Sequence, residues 1–360
     1  MPARPTSASS SNLKRPWIKK ALLYDELDRG RVRCKTCERK CIIPPGELGF
    51  CKTRKNSSGE LITLQYGLSS GISANPAEKK PFYHFWPGSR ALTVGSWSCN
   101  SSCPWCQNFH ISKSEPDPSR SEYIPPEKFV SLVGEYGCQG TSISFNEPTL
   151  SLEWALDVFR LAKERGLYNT FVTNGYMTLE ALRALRDAGL DALCIDVKGD
   201  AKMVRQYCGL DVEIVWRNVH KAKRMGMHVE VVNLVIPGVN DRSDQFRDLA
   251  SRHLEEAGKE TPLHFTAYYP AYRFSAPPTP VSVLERAHDI AVSEGVEFVY
   301  VGNVLGHKYE NTYCPECGEL LIERLGLELL KTNLEENRCR NCGRKIPIVG
   351  RIYLPSQKSR

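Results

Sequence analysis

Long apolar runs are missing from this 360-residue chain. Stretches such as Val229 to Pro237 are broken by Glu230 and Asn233 and are too short to cross a bilayer. No charged-then-apolar leader opens the sequence, so a soluble, cytoplasmic protein without a membrane partner is expected. Extremes of composition are absent too. Apolar residues make up 41% and charged residues 25%, which sets aside disordered and fibrous classes and allows one large core with small satellites. An even spread of charge is also lacking. Residues 1–60 hold fourteen Lys and Arg against six Asp and Glu, so the net charge of +7 belongs to that first segment. Such a segment could bind nucleic acid or an acidic partner, although thiolates on a bound metal would cancel part of the charge.

Cysteine is what the chain has in abundance. There are fourteen, and with no secretory leader and eleven of them tightly clustered, they point to metal binding instead of a disulfide scaffold. Only Cys138, Cys194 and Cys208 stand alone, and Cys194, inside the apolar run Ala192 to Val197, reads as core packing.

The pattern along the chain divides it into four parts. Residues 1–16, rich in Ser, Pro and Ala, read as a disordered tail. Residues 17–60 contain Cys34, Cys37, Cys41 and Cys51 around a Pro44-Pro45-Gly46 turn and are too small to fold without a staple. Over residues 61–306, β-branched runs alternate with amphipathic segments, the signature of an α/β fold built on a parallel sheet. The expected strands are Ala91 to Trp97, Thr141 to Asn146, Asn169 to Asn174, Ala192 to Lys198, Val229 to Ile236, Leu263 to Tyr268 and Val296 to Gly302. Helices are expected after Ser151 and after Thr178, the latter stopping at Gly189. Residues 307–360 begin with Cys314-Pro315-Glu316-Cys317-Gly318 and read as an appendage.

A β-α series of this kind curls into a full or partial barrel with its chemistry at the carboxyl ends of the strands. Polar residues gather at those places: Trp97-Ser98-Cys99, Asn146-Glu147-Pro148, Thr173-Asn174-Gly175 and Asp196-Val197-Lys198. The central motif is Cys99-x3-Cys103-x2-Cys106, in a loop directly after a strand. Iron–sulfur clusters are normally held by four thiolates, so three leave one iron open to an outside ligand. A zinc knuckle completed by a residue such as His110 is the alternative.

The C-terminal pairs Cys314-x2-Cys317 and Cys339-x2-Cys342 each end in glycine and suit a zinc ribbon, a closed tetrahedral site with no open position. In the first module, Cys34-x2-Cys37-x3-Cys41-x9-Cys51 suits zinc or an additional 4Fe-4S cluster, and a module without a core of its own favours zinc.

The spacing of the central motif, with Trp105 before its last cysteine, resembles that of the radical S-adenosylmethionine superfamily. Glu78-Lys79-Lys80-Pro81, His84-Phe85, Pro87-Gly88 and Cys106-Gln107-Asn108 narrow the resemblance to the radical enzyme of the AmmeMemoRadiSam system, a relative of pyruvate formate-lyase activating enzymes. The likeness runs from about Ala21 to Ile348. It implies a partial (β/α)6 barrel with an N-terminal four-cysteine module and a C-terminal zinc-ribbon-like module. It also implies a 4Fe-4S cluster on Cys99, Cys103 and Cys106, and S-adenosylmethionine as cofactor. Cofactor-binding roles follow for Trp105, for Asn146 and Glu147 in the place of a Gly-Gly-Glu-Pro-like turn, for Asn174, and for Asp196 with Lys198, the activating-enzyme Asp-x-Lys motif.

The implied activity is that of an oxidoreductase that reductively cleaves S-adenosylmethionine to a 5′-deoxyadenosyl radical, which abstracts hydrogen from a substrate. The substrate is a partner protein activated at a glycine or, alternatively, a small molecule, lipid or RNA, and ferredoxin or flavodoxin would donate the electron. Two readings from other classes are a zinc-dependent nucleic-acid-binding protein and an interaction scaffold. Neither accounts for the polar strand ends.

Overall fold

In the computed structural model, which describes residues 15–354, the β-branched runs become one eight-stranded sheet. Its strands are β1 (Gly71–Pro76), β2 (Arg90–Gly95), β3 (Gly140–Ile143), β4 (Tyr168–Thr173), β5 (Ala192–Asp196), β6 (His228–Val235), β7 (Leu263–Ala267) and β8 (Val299–Gly302). Neighbours in sequence are neighbours in the sheet. Strands β2 to β8 run parallel, and β1 pairs antiparallel with β2. The edges β1 and β8 do not pair with each other, so the barrel is partial.

Six helices make the crossovers: α1 (Pro126–Glu135), α2 (Leu152–Glu164), α3 (Leu179–Ala188), α4 (Val212–Arg224), α5 (Ser243–Glu256) and α6 (Val281–Glu294). The end signals of α3 work as expected. The Thr178 side chain accepts from Ala181 N, and Gly189 closes the helix with a left-handed φ of 106°. The β/α alternation is thus six units followed by a seventh parallel strand, β8. Strand β1 was not among the expected strands, because Gly-Ile-Ser-Ala-Asn-Pro has neither β-branched density nor a clean two-residue period.

Strand pleating sorts the side chains into two sets. Leu92, Val94, Ile143, Phe171, Leu193, Ile195, Val229 and Val231 face the helices and form the main core. The alternate residues Thr93, Ser142, Thr170, Cys194, Glu230, His264 and Tyr300 face inward and are all buried. Cys194 is therefore buried as expected, but on the barrel's inner side.

The amino-terminal end of the barrel is plugged. Tyr83 N and His84 N donate to the two oxygens of Glu230, which also meets His228 and His264. A C-terminal antiparallel sheet of Thr312–Tyr313, Leu320–Leu325 and Glu328–Thr332 adds the buried Arg324, which donates to Tyr83 O and Thr312 Oγ1. That end of the barrel interior is thus filled by its own hydrogen-bond network.

The first module packs beside the barrel through a buried ion pair. Arg54 Nη1 lies 2.7 Å from Glu153 Oε1 at the start of α2, and Leu22 N donates to the same carboxylate. The tail expected over residues 1–16 falls, except for its last two residues, outside the described residues. Among the described residues no helix is long and apolar enough to cross a membrane.

Candidate functional site

The loop that follows β2 turns sharply at Ser98, whose φ of 66° is in the left-handed region. It then presents Cys99, Cys103 and Cys106, and it is held from three sides. Asn146 Oδ1 accepts from Ser96 N while its Nδ2 donates to Trp97 O and Ser98 O. Lys113 Nζ donates to Ser101 O, and Ser102 N to Cys208 O. Trp105, at 3% exposure, is packed against Tyr207 and Phe274 and anchors the loop in the core.

Each sulfur has a polar neighbour. Ser101 Oγ is 2.9 Å from Cys103 Sγ, Ser112 Oγ is 3.0 Å from Cys106 Sγ, and Asn174 Nδ2 is 3.8 Å from Cys99 Sγ. Burial pushes the Cys99 thiol up to about 12, helped by Glu147. Cys103 moves the other way, to about 6. The hydrogen bond it shares with Cys208, whose sulfur is 3.3 Å away, favours its thiolate, and Lys198 adds to the effect.

The three thiols are not gathered around a point. Among the described residues, the single group of three or more side chains placed to hold one ion is Cys314, Cys317, Cys339 and Cys342, whose ligand atoms lie within 4.8 Å of one another. Thiolates spread along a loop suit a polynuclear cluster, in which each binds its own iron, better than a single tetrahedral zinc.

Strand ends β3, β4 and β5 supply the other expected residues. Phe145 takes the left-handed φ of 75° that a glycine would adopt at no cost, so the turn keeps a glycine-like backbone at one of the two glycine positions of the resembled motif. Glu147 is buried and fully engaged. Thr149 N, Thr149 Oγ1 and Thr173 Oγ1 donate to Oε1, and Asn174 N donates to Oε2. Its carboxylate therefore orients Asn174 instead of standing open. Asn174 Nδ2 in turn donates to Asn100 Oδ1 at 2.7 Å.

Lys198 Nζ meets Asp196 Oδ2 at 2.6 Å. Burial works against the lysine's charge, yet Asp196 and the Cys103 thiolate hold its amine well above its usual range. The structure thus brings Asn174, Lys198 and the three-cysteine loop together, while Asn146, Glu147 and Trp105 brace them.

Three residues here had no assigned role in the sequence. Cys208, apparently solitary, is the neighbour of Cys103; Asn100 touches both Cys99 and Asn174; and Lys80 is buried with its Nζ 3.1 Å from Ser144 Oγ and 4.1 Å from the centre of the Phe145 ring. Burial lowers the Lys80 amine to about 7, and Lys79 pushes it the same way.

In the C-terminal set, Gly318 and Gly343 take left-handed φ values of 73° and 80°, and their N–H groups donate to Cys314 O and Cys339 O. Two equivalent turns thus point four thiols at one place.

Residues 97–250 match the radical SAM superfamily. An uncharacterized protein of Methanocaldococcus jannaschii, MJ0808, is 41% identical over 335 residues, which is 92% of this chain and 100% of that protein. The GTP 3′,8-cyclase of Aquifex aeolicus is 28% identical over 166 residues, 42% of this chain and 48% of the cyclase. Among solved structures, a domain of pyruvate-formate lyase-activating enzyme from Bacteroides vulgatus aligns with a TM-score of 0.40 at 17% identity, covering 46% of this chain and 99% of that domain. Residues 97–250 are a radical SAM domain, and the chain as a whole belongs to the same family as the M. jannaschii protein.

Proposed function

We propose that this chain binds a 4Fe-4S cluster through Cys99, Cys103 and Cys106 and S-adenosylmethionine beside it, and removes a hydrogen atom from a substrate. When bound and reduced, the cluster supplies one electron for cleavage of S-adenosylmethionine to the 5′-deoxyadenosyl radical. The observation that supports this most is the convergence of Asn174 and the Asp196–Lys198 pair, from two different strand ends, on the three-cysteine loop.

The chain's own residues bind and orient. Lys198, kept cationic by Asp196, offers a partner for the methionine carboxylate, and a cation in so dry a place is worth more than one in water. Asn174, fixed by Glu147, presents an amide that both donates and accepts. Asn146 and Trp105 keep the loop from shifting, since sub-ångström placement decides whether a reactive group meets its target.

The Asp-x-Lys arrangement, shared with activating enzymes, favours a backbone glycine of a partner protein as the hydrogen donor. The C-terminal cysteines hold one zinc, a structural site closed on all four sides. Trapping deuterium in 5′-deoxyadenosine from candidate partners labelled at glycine tests the substrate. Transfer from a labelled protein supports the reading, and transfer from a labelled small molecule alone refutes the glycine assignment.

A further inference from the structure

Zinc and an iron–sulfur cluster make different demands on four cysteines. One ion draws all its thiolates onto a single tetrahedron, whereas a cubane gives each thiolate its own iron and keeps the sulfurs farther apart. The two four-cysteine sets of this chain differ in that way. Cys314, Cys317, Cys339 and Cys342 converge within 4.8 Å, but Cys34, Cys37, Cys41 and Cys51 form no such group. They line one small cavity together with Arg39, Phe50 and Arg54. Cys34, Cys37 and Cys51 are buried and Cys41 is half-buried, while Phe50 forms an exposed rim.

Its lining suits an anionic occupant. The Arg54 guanidinium is wholly buried near Cys34 and Cys51, with Glu153 beside it at 2.7 Å. Arg39 lies 3.5 Å over the Phe50 ring and donates to Asn100 O and Gly209 O. Asn100 Nδ2 is buried, has no hydrogen-bond partner, and is the amide that faces Cys37. A buried N–H of this kind calls for an acceptor, and the Cys37 sulfur, as a metal-bound thiolate, is one.

Asn100 also belongs to the other metal loop. Its Oδ1 takes the Asn174 amide and lies 3.9 Å from Cys99 Sγ. One side chain thus stands between Cys37 and Cys99. The loop after β4 holds the two modules in that register: Asn174 touches Cys99, while Met177 bridges to Cys37 and Glu38 N donates to Tyr176 O.

We propose that Cys34, Cys37, Cys41 and Cys51 hold an auxiliary 4Fe-4S cluster that is the electron entry to the Cys99, Cys103 and Cys106 site by way of Asn100. The site stands on these cysteines alone; the relay rests on the function proposed above. One electron from a low-potential donor of the ferredoxin or flavodoxin class reduces the auxiliary cluster. The same electron then passes to the loop cluster and returns the auxiliary one to its oxidised state. No bond forms or breaks and no proton moves.

Anaerobic reconstitution of the full chain carrying Cys99→Ala, Cys103→Ala and Cys106→Ala tests the site. The expected product is brown, with about four iron and four sulfide per chain, about one zinc, and a reduced paramagnetic signal that S-adenosylmethionine does not alter. A colourless product with about two zinc and no iron overturns the assignment. For the relay, Cys51→Ser should lower the ratio of donor-protein-driven to dithionite-driven S-adenosylmethionine cleavage by about tenfold or more, while iron in the loop site is retained. An unchanged ratio overturns it. Wild-type protein that cleaves no S-adenosylmethionine with dithionite would instead refute the proposed function, and the iron count of the triple variant would still decide the auxiliary site.

Discussion

The sulfurs of Cys103 and Cys208, 105 positions apart in the chain, lie 3.3 Å from each other. Cys208 ends the short helical turn Val204–Cys208, and its carbonyl also receives Ser101 Oγ and Ser102 N, so the contact is fixed by backbone and side chain together. Hydrogen bonds to a ligand sulfur stabilise the more negative, reduced cluster. Cys208→Ala should therefore keep its iron and lower the cluster's reduction potential by roughly 40 mV, the equivalent of one hydrogen bond of about 1 kcal/mol. Potentiometric titration measures the shift. Loss of the cluster in this variant would make Cys208 a ligand instead.

Lys198 and Glu147 separate binding from bracing. Lys198→Met removes the cation offered to the methionine carboxylate, a change of about 3–5 kcal/mol, so affinity for S-adenosylmethionine should fall at least about a hundredfold, with a modest loss of thermal stability because the Asp196 carboxylate left behind is about one-third exposed and can be hydrated. Glu147→Gln disturbs four hydrogen bonds, two within its own turn and two that join it to the end of β4, so it should lower stability by about 1–3 kcal/mol as well as affinity. Titrating the reduced cluster's paramagnetic signal with S-adenosylmethionine, beside melting curves, distinguishes the two. Equal melting temperatures for Glu147→Gln and wild type would contradict the bracing role.

Lys80 makes stability depend on pH in a predictable direction. Burial lowers its amine from the ordinary 10.5 to about 7. Between those values the unfolded chain binds the proton and the folded chain does not, so stability rises with pH from about 7 towards 10.5, and the full burden of the buried charge is present below about 7. Lys80→Met should melt higher than wild type, with an advantage larger at pH 6.5 than at pH 9.5. An advantage independent of pH would show that Lys80 is not the titrating group.

Removing a ligand from the C-terminal set should be local. Cys314→Ser is expected to lose the zinc and become protease-sensitive after residue 307 while retaining its iron. Structural zinc in such sites stabilises the fold by an apparent 10–16 kcal/mol or so. Metal analysis and limited proteolysis check this, and unchanged zinc and protease resistance would count against the site.

The legible parts of this protein are those whose cause is local. Parallel strands buried on both faces need β-branched runs, so β2 to β8 stood out, whereas β1 is held only by its pairing with β2 and has no pattern of its own. The cluster loop was legible because its three thiols are close in sequence. The neighbours of those thiols were not. Cys208, Asn100 and Lys80 owe their significance to which groups the fold brings beside them, and the engagement of Glu147 by Thr149, Thr173 and Asn174 depends on two strand ends meeting. The distinction between the two four-cysteine sets is of the same kind, since spacing alone suits zinc or iron in both.

The central claim is that Cys99, Cys103 and Cys106 build the centre at which S-adenosylmethionine is cleaved. Its most direct test is 5′-deoxyadenosine formation by anaerobically reconstituted, dithionite-reduced protein, wild type beside Cys103→Ala. The account predicts 5′-deoxyadenosine and methionine in equal amounts from the wild type and none above background from the variant. Cleavage by Cys103→Ala at the wild-type rate would contradict it.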